Sequence, residues 1–319
     1  MAKKILVTGS SVREEFLQPL RDRGWSVVNP IHLLSEEELT EALLDVDAYL
    51  LGGDEMATRM ALSSALKLKI IAFLGMGYEN YLDSSTARER GIIVTNTPGT
   101  LSNAVAELTI GHLLNGIRKI HYYAHLYEIG ESGSEEKQRD IAALHHGIVG
   151  LGGVGERVAA ILRNGFGSQV SYFSRTRKQN VEDALNLRFM DLENLASVVD
   201  TLMVLTPGTT ETEGLINRRV LDLCRPGLVL VNMARADVVD PKALNLSLES
   251  KRVAYAAFDV FYNARNNFTD ALRKKIPSRL MVTGHIGSLT HDARDAMGKS
   301  AVNSIITMLD SGNPLHRVL

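Results

Sequence analysis

The sequence predicts an α/β protein made of two Rossmann-like, doubly wound parallel-sheet domains. Three observations predict it. Short apolar, β-rich runs alternate with charged segments of helical spacing, the alternation restarts after residue 144, and a glycine-rich loop joins a strand to a helix at the restart.

The first series of strands is read at residues 5–7, 26–28, 48–51, 70–74 and 92–95, with helical segments such as 14–23 and 36–44 between them. Parallel strands need such crossovers, because the chain must return to the same edge before the next strand starts. The second series is read at residues 148–149, 170–173, 199–205, 228–231, 254–258 and 280–282. Between the two, residues 101–126 place Val105, Leu108, Ile110, Leu113, Leu114 and Ile117 at helical spacing, which predicts one long helix. Residues 130–138 are rich in Gly, Ser and Glu and read as a surface connection. A last helix over about 290–309 is expected to return to the first domain.

Composition narrows the function. A chain of 319 residues, 45% hydrophobic, is long enough for two domains with cores of their own. With 35 Lys+Arg against 37 Asp+Glu, the net charge of −2 gives no basic face for nucleic acid. No run approaches the ~18 apolar residues of a membrane span, so neither nucleic acid nor membrane is an expected partner. The single cysteine, Cys224, rules out a disulfide framework and a multi-cysteine metal site. It points to a reducing compartment, and a cytoplasmic location is expected. No metal is expected.

The loop Gly150-Leu151-Gly152-Gly153-Val154-Gly155 is a G-x-G-x-x-G following Ile148-Val149 and opening a helix with Val158, Ile161 and Leu162 on one face. In that context Gly150 permits the tight turn and Gly152 lets main-chain amides reach a pyrophosphate. Gly155 lets the helix lie close to the sheet, and the helix N-terminus attracts the anion. The next strand ends in Ser174-Arg175-Thr176. An NAD site carries an acid about 20 residues past the loop. Here Arg175 stands 20 residues after Gly155, and the first carboxylate is Glu182. Ser174, Arg175 and Thr176 suit a ribose 2′-phosphate, so NADP(H) is preferred, with NAD(H) left open.

Several ordered segments resemble the D-isomer-specific 2-hydroxyacid dehydrogenase family, in its glyoxylate/hydroxypyruvate reductase branch. They include Gly75-Met76-Gly77, Asn96-Thr97-Pro98-Gly99, Leu205-Thr206-Pro207, Arg225-Pro226-Gly227, Asn232-Met233-Ala234-Arg235-Ala236-Asp237 and Thr283-Gly284-His285-Ile286-Gly287, besides the glycine loop. The resemblance covers roughly residues 70–290. It implies a substrate domain from residues 1–97 and 288–319, with a dinucleotide-binding domain inserted at 98–287. It further implies a substrate cleft flanked by hinges, and a homodimer formed through the cofactor domain.

Carried over to this sequence, the resemblance gives Arg235 the substrate's carboxylate and carbonyl oxygen. His285 is then the acid/base that protonates the developing alkoxide. Met76 and Gly77 would donate main-chain N–H groups to the substrate. Gly150, Gly152, Gly153, Val154, Gly155, Ser174, Arg175, Thr176, Thr206, Pro207, Met233 and Asp259 would hold the cofactor. The substrate class is a small 2-oxo or 2-hydroxy acid, exchanging a hydride with NADP(H) or NAD(H).

One family element is missing. The Glu that pairs with the acid/base His falls at Ala264, and no acid occurs between Asp259 and Asp270. Gly284 replaces the Pro before the His, and Ala236 the Gly after Arg235. A carboxylate beside imidazole favours the imidazolium and orients the ring, so its loss weakens the acid. The alternative expectation is therefore a nucleotide-binding regulatory or interaction protein with weak turnover or none.

Overall fold

The computed structural model describes residues 2–9, 12–30, 32–131 and 137–319; of the expected 130–138 connection, residues 132–136 lie outside the described residues. The chain divides into two units, residues 1–101 with 289–319, and residues 102–288.

The first unit runs β1 (Lys4–Thr8), α1 (Glu14–Arg21), β2 (Ser26–Val28), α2 (Glu36–Leu43), β3 (Ala48–Leu51), α3 (Arg59–Ser64), β4 (Ile70–Phe73), α4 (Ser84–Glu89) and β5 (Ile93–Thr95). Its five strands are all parallel, in the order β2-β1-β3-β4-β5. Side chains alternate between the two faces, as a strand requires. Leu6, Tyr49, Leu51, Ile71 and Phe73 meet Leu39, Leu43 and Leu62 of α2 and α3 on one face. Ile5, Val7, Ala48, Leu50, Ile70 and Ala72 meet Phe16, Leu17 and Leu20 of α1 on the other, together with Ala301, Val302 and Ile305 near the C-terminus. Both faces being covered, these strands read as continuous apolar runs. Fully burying each large aliphatic side chain contributes about 1.5–3 kcal/mol.

The second unit begins with α5 (Ser102–Arg118) and α6 (Ile120–Glu128), then continues β6 (His145–Val149), α7 (Gly153–Ala160), β7 (Gln169–Phe173), α8 (Gln179–Leu185), β8 (Arg188–Phe189), α9 (Leu192–Val198) and β9 (Thr201–Val204). It closes with α10 (Arg218–Leu223), β10 (Leu228–Asn232), α11 (Pro241–Glu249), β11 (Val253–Phe258), α12 (Asn267–Arg273) and β12 (Leu280–Val282), after which α13 (His291–Ser311) belongs to the first unit. Seven parallel strands lie in the order β12-β11-β10-β9-β6-β7-β8. The chain winds outward from β6 in both directions, so β6 is where the winding reverses, the position at which doubly wound sheets bind ligands.

One expectation needs correction, and one strand was not expected. The segment 101–126 is not one helix: Lys119 adopts left-handed geometry (φ 50, ψ 38) and divides it into α5 and α6. The Asn115 side chain accounts for the division, since its Oδ1 accepts the His121 N–H at 2.7 Å and its Nδ2 donates to Tyr255 Oη at 2.7 Å. A hydrogen-bonding side chain thus replaces a helical carbonyl at the start of α6. The strand not expected is β8, whose two residues are too few to form an apolar run. Among the described residues, no helix is long and apolar enough to cross a membrane.

Candidate active site

Because the seven strands are parallel, their carboxyl ends lie along one edge, and the residues singled out in this unit follow those ends. The glycine loop follows β6, Ser174–Thr176 follow β7, Thr206 and Pro207 follow β9, Met233 and Arg235 follow β10, Asp259 follows β11, and His285 follows β12. Arg235, Asp259 and His285 therefore issue from three neighbouring strands. Met76 and Gly77 follow β4 in the other unit.

The glycine loop has an open side and a closed side. Gly150 (φ +99) donates its N–H to the Phe173 carbonyl at 2.8 Å, and a Cβ there would fall 2.7 Å from the Thr206 nitrogen. A Cβ on Gly155 would fall 2.2 Å from the Gly150 oxygen, so α7 can approach the loop only as glycine. Beside Gly152 nothing lies within 4 Å of the corresponding position. Gly152 is the N-cap of α7 and brings no side-chain bond. Among the described residues the N–H groups of Gly153 and Val154 thus remain unbonded, at the partial positive end of the helix dipole. The residues present fit a dinucleotide's pyrophosphate.

Past β7, the Ser174 hydroxyl donates to the Thr176 carbonyl at 2.5 Å, shaping a turn that leaves Arg175 exposed. Glu182, the first carboxylate downstream, is spent elsewhere. It is 5% exposed, accepts the Tyr172 hydroxyl at 2.6 Å, and takes Nε and Nη2 of Arg177 at 2.9 and 2.8 Å. The Arg177 guanidinium, with the Tyr172 hydroxyl, holds the Glu182 carboxyl below its usual range. The Glu211 carboxyl is held below its usual range first by the Thr209 hydroxyl and to a lesser degree by the Arg175 charge.

Arg235 is positioned by its neighbours rather than by its own head group. The Asn232 amide donates to the Arg235 carbonyl at 3.0 Å and its Oδ1 accepts the Ala234 N–H at 3.0 Å, folding the segment back on β10. Gly208 makes room for the side-chain stem, since a Cβ there would stand 2.4 Å from Arg235 Cγ. Arg235 is half-buried, and among the described residues its guanidinium makes no hydrogen bond or ion pair. A partly desolvated guanidinium without a counter-charge is a prepared site for a carboxylate.

His285 is exposed and its main chain is left-handed (φ 67), immediately after Gly284 (φ 72). Such a conformation costs an ordinary residue about 1 kcal/mol. The Asp259 main-chain oxygen accepts the His285 N–H at 2.5 Å. Asp259, 3% exposed, has its carboxylate occupied by three donors, the Thr283 hydroxyl (2.7 Å) and the N–H groups of Ile286 and Gly287 (2.9 Å each). Ala264 lies in an exposed loop where its carbonyl accepts the Thr269 hydroxyl, and Asp270 stands 3.3 Å from Arg265 Nη1.

Sequence reasoning missed Gly208, whose only signal was its place after Pro207, and His112, which looked like one more helical residue. In the first unit, Gly75 donates its N–H to Thr97 Oγ1 at 3.1 Å, while Met76 is exposed. A crevice of about 580 Å³ lined by Arg139, His145, Gln169, Arg188, Asp200 and Arg225 lies at the amino-terminal edge of the large sheet, away from all these residues.

A seven-stranded Rossmann sheet, an uncapped glycine loop at its reversal point, and an arginine and a histidine on the same edge define a dinucleotide-dependent enzyme. Comparison with known proteins is specific. The model for "D-isomer specific 2-hydroxyacid dehydrogenase, NAD binding domain" matches residues 110–287. The glyoxylate reductase of Thermococcus litoralis is 34% identical, over 84% of this chain and 82% of its own. A crystal structure of a Thermus thermophilus protein aligns at a TM-score of 0.86 with 31% identity, covering 99% of this chain and 100% of that one. The NADPH-dependent glyoxylate/hydroxypyruvate reductase of Sinorhizobium meliloti, solved with NADP and malonate, aligns at a TM-score of 0.82 with 28% identity, covering 100% and 97%. The chain belongs to the D-isomer specific 2-hydroxyacid dehydrogenase family. It is a 2-hydroxyacid dehydrogenase and uses a nicotinamide cofactor.

Proposed function

We propose that this protein reduces glyoxylate, or a 2-oxo acid of similar size, with NADPH in preference to NADH. In this reading residues 98–287 are the dinucleotide-binding domain, and residues 1–97 with 288–319 are the substrate domain. The observation that carries the reading is the half-buried guanidinium of Arg235, unpaired among the described residues, on the strand edge that also carries His285.

When bound, the reduced nicotinamide supplies the hydride. Arg235 grips the substrate's carboxylate and its carbonyl oxygen with its planar fork, and its charge favours the oxyanion over the carbonyl. The main-chain N–H groups of Met76 and Gly77 give the carboxylate further donors. His285 delivers a proton to the developing alkoxide, a role imidazole can fill because it both holds and releases a proton. Gly150, Gly152, Gly153, Val154 and Gly155 cradle the pyrophosphate, and Thr206, Pro207 and Met233 line the site. Asp259 serves the nicotinamide end. Ser174, Arg175 and Thr176 receive the ribose 2′-phosphate, a preference supported by the engagement of Glu182 with Arg177 and Tyr172.

The reading includes a homodimer and a cytoplasmic location. For the dimer the support is α6, none of whose residues is buried although Ile120 and Tyr127 are 55% and 86% exposed. For the location it is the free, buried thiol of Cys224. The test is oxidation of NADPH and NADH by the purified protein with glyoxylate, hydroxypyruvate and pyruvate. Turnover fastest with glyoxylate and NADPH is expected. Nucleotide binding without turnover of any 2-oxo acid would overturn the proposal.

A further inference from the structure

We propose that His112 is a positioning residue for His285, acting through Thr283 and Asp259. The proposal rests on the role given to His285 above and names a group, distant in sequence, on which that role depends.

His112 lies on α5, which buries Ala106, Ile110, Leu113 and Ile117 and also the polar Thr109 and Asn115. It is 2% exposed. An apolar side chain would fill that place without the cost of desolvating an imidazole, so the polar group calls for a partner. That partner is Thr283, whose Oγ1 stands 3.2 Å from His112 Nε2. Thr283 in turn donates to Asp259 Oδ1 at 2.7 Å. A hydroxyl has one proton, and here the Asp259 carboxylate takes it. The Thr283 oxygen therefore faces His112 as an acceptor, which requires the proton of the neutral imidazole to be on Nε2. Burial pushes His112 below the usual histidine range, with the Asp259 charge opposing the shift, and so agrees with a neutral ring.

The chain of donors ends on the backbone around His285. Asp259 grips that backbone on three sides: its main-chain oxygen accepts the His285 N–H, Oδ1 accepts the Ile286 N–H, and Oδ2 accepts the Gly287 N–H. It thereby holds His285, which follows Gly284, in a left-handed conformation that a residue with a side chain does not itself favour. Rotation of the carboxylate would release Ile286 and Gly287 together. What stops the rotation is the Thr283 proton, and what orients the Thr283 hydroxyl is His112. Consecutive hydrogen bonds in a dry setting strengthen one another, so the first member is felt at the last. Loss of His112 leaves the imidazole of His285 in place chemically but sets its backbone free, which displaces a proton donor that must lie within hydrogen-bond reach of the substrate.

The test uses the full-length protein with His112→Leu, His112→Gln and Thr283→Val, and two readouts. The first is amide hydrogen exchange at Ile286 and Gly287, which needs no turnover. The second is steady-state reduction of glyoxylate with NADPH, together with nucleotide affinity. For His112→Leu, exchange roughly tenfold faster and kcat roughly tenfold lower are expected, with the KM for glyoxylate within about twofold of the parent. His112→Gln, whose side-chain amide N–H can replace Nε2–H, recovers most of both. Thr283→Val reproduces the Leu pattern, and the double variant is no worse than Thr283→Val alone. The proposal is overturned by unchanged exchange in His112→Leu, by faster exchange at normal kcat, or by losses that Gln does not recover. Should His112→Leu fail to fold, equal behaviour of His112→Gln and Thr283→Val overturns it. If the parent protein turns over no 2-oxo acid, the proposed function falls, while the exchange readout still decides whether His112 orders the His285 segment.

Discussion

Arg235 rests against Gly208: a methyl group at Gly208 would sit 2.4 Å from Arg235 Cγ and 2.6 Å from Cβ. The missing side chain after β9 thus defines where the guanidinium after β10 projects. Overlap at the stem of a side chain, unlike overlap at its tip, cannot be relieved by a small terminal rotation. Gly208→Ala should lower kcat/KM for the 2-oxo acid by roughly tenfold or more, about 1.4 kcal/mol of transition-state binding. Nucleotide affinity, measured by fluorescence titration, should stay unchanged, because the glycine loop is untouched.

Arg235→Ala removes the guanidinium altogether. Turnover should fall below detection while NADPH affinity stays nearly intact. Arg235→Lys should recover only a small fraction, since an ammonium cannot present two parallel N–H donors to a carboxylate. Steady-state kinetics with a nucleotide titration on the same samples checks both. Parallel loss of nucleotide binding would mean that Arg235 holds the cofactor rather than the substrate.

Arg175→Ala separates the two cofactors. Removing an exposed charge-assisted contact should raise the Kd for NADPH by roughly tenfold and leave that for NADH within about twofold. Titration of the variant with each nucleotide at one ionic strength measures the difference, which should shrink as salt is raised. Equal effects on both nucleotides would remove Arg175 from the 2′-phosphate site.

His146 gives the fold a dependence on pH. Its ring is fully buried, with Nδ1 2.7 Å from the Thr201 hydroxyl and Nε2 3.1 Å from the Ile141 carbonyl, and burial pushes its pKa down to about 4. Between about 4 and the unfolded value near 6.5 the unfolded chain binds the extra proton, so stability rises with pH in that window. The contribution is complete above the unfolded value and is lost as pH falls toward 4. Urea unfolding at pH 7.5 and at pH 4.5 should differ by roughly 2–3 kcal/mol on this account. His146→Gln should flatten that part of the profile; an unchanged slope would assign it to other groups.

Much of the fold was legible in the chain because parallel strands are buried on both faces and are written as uninterrupted apolar runs. β3 and β12 coincide with the runs at 48–51 and 280–282, and β10 and β11 differ from theirs by one residue at an end. The glycine loop was legible for a related reason: a left-handed turn at Gly150 and the close approach at Gly155 each exclude a side chain. β8 was not legible, since two residues carry no period, nor was the break at Lys119, which depends on an Asn115 side chain engaged with Tyr255 on another element.

The sequence by itself determined the order of the strands along the chain, the dinucleotide loop, and the arginine and histidine after the apolar runs, since each is encoded by neighbours a few residues apart. Tertiary structure alone decided which carboxylate was free and which was spent. Only folding brings Arg177 and Tyr172 onto Glu182, joins His112 to Thr283 across 171 residues, and turns Asp259 toward the backbone around His285. The reason is physical: a hydrogen bond is a matter of about 3 Å in space, and sheet order, not chain order, determines which side chains come that close.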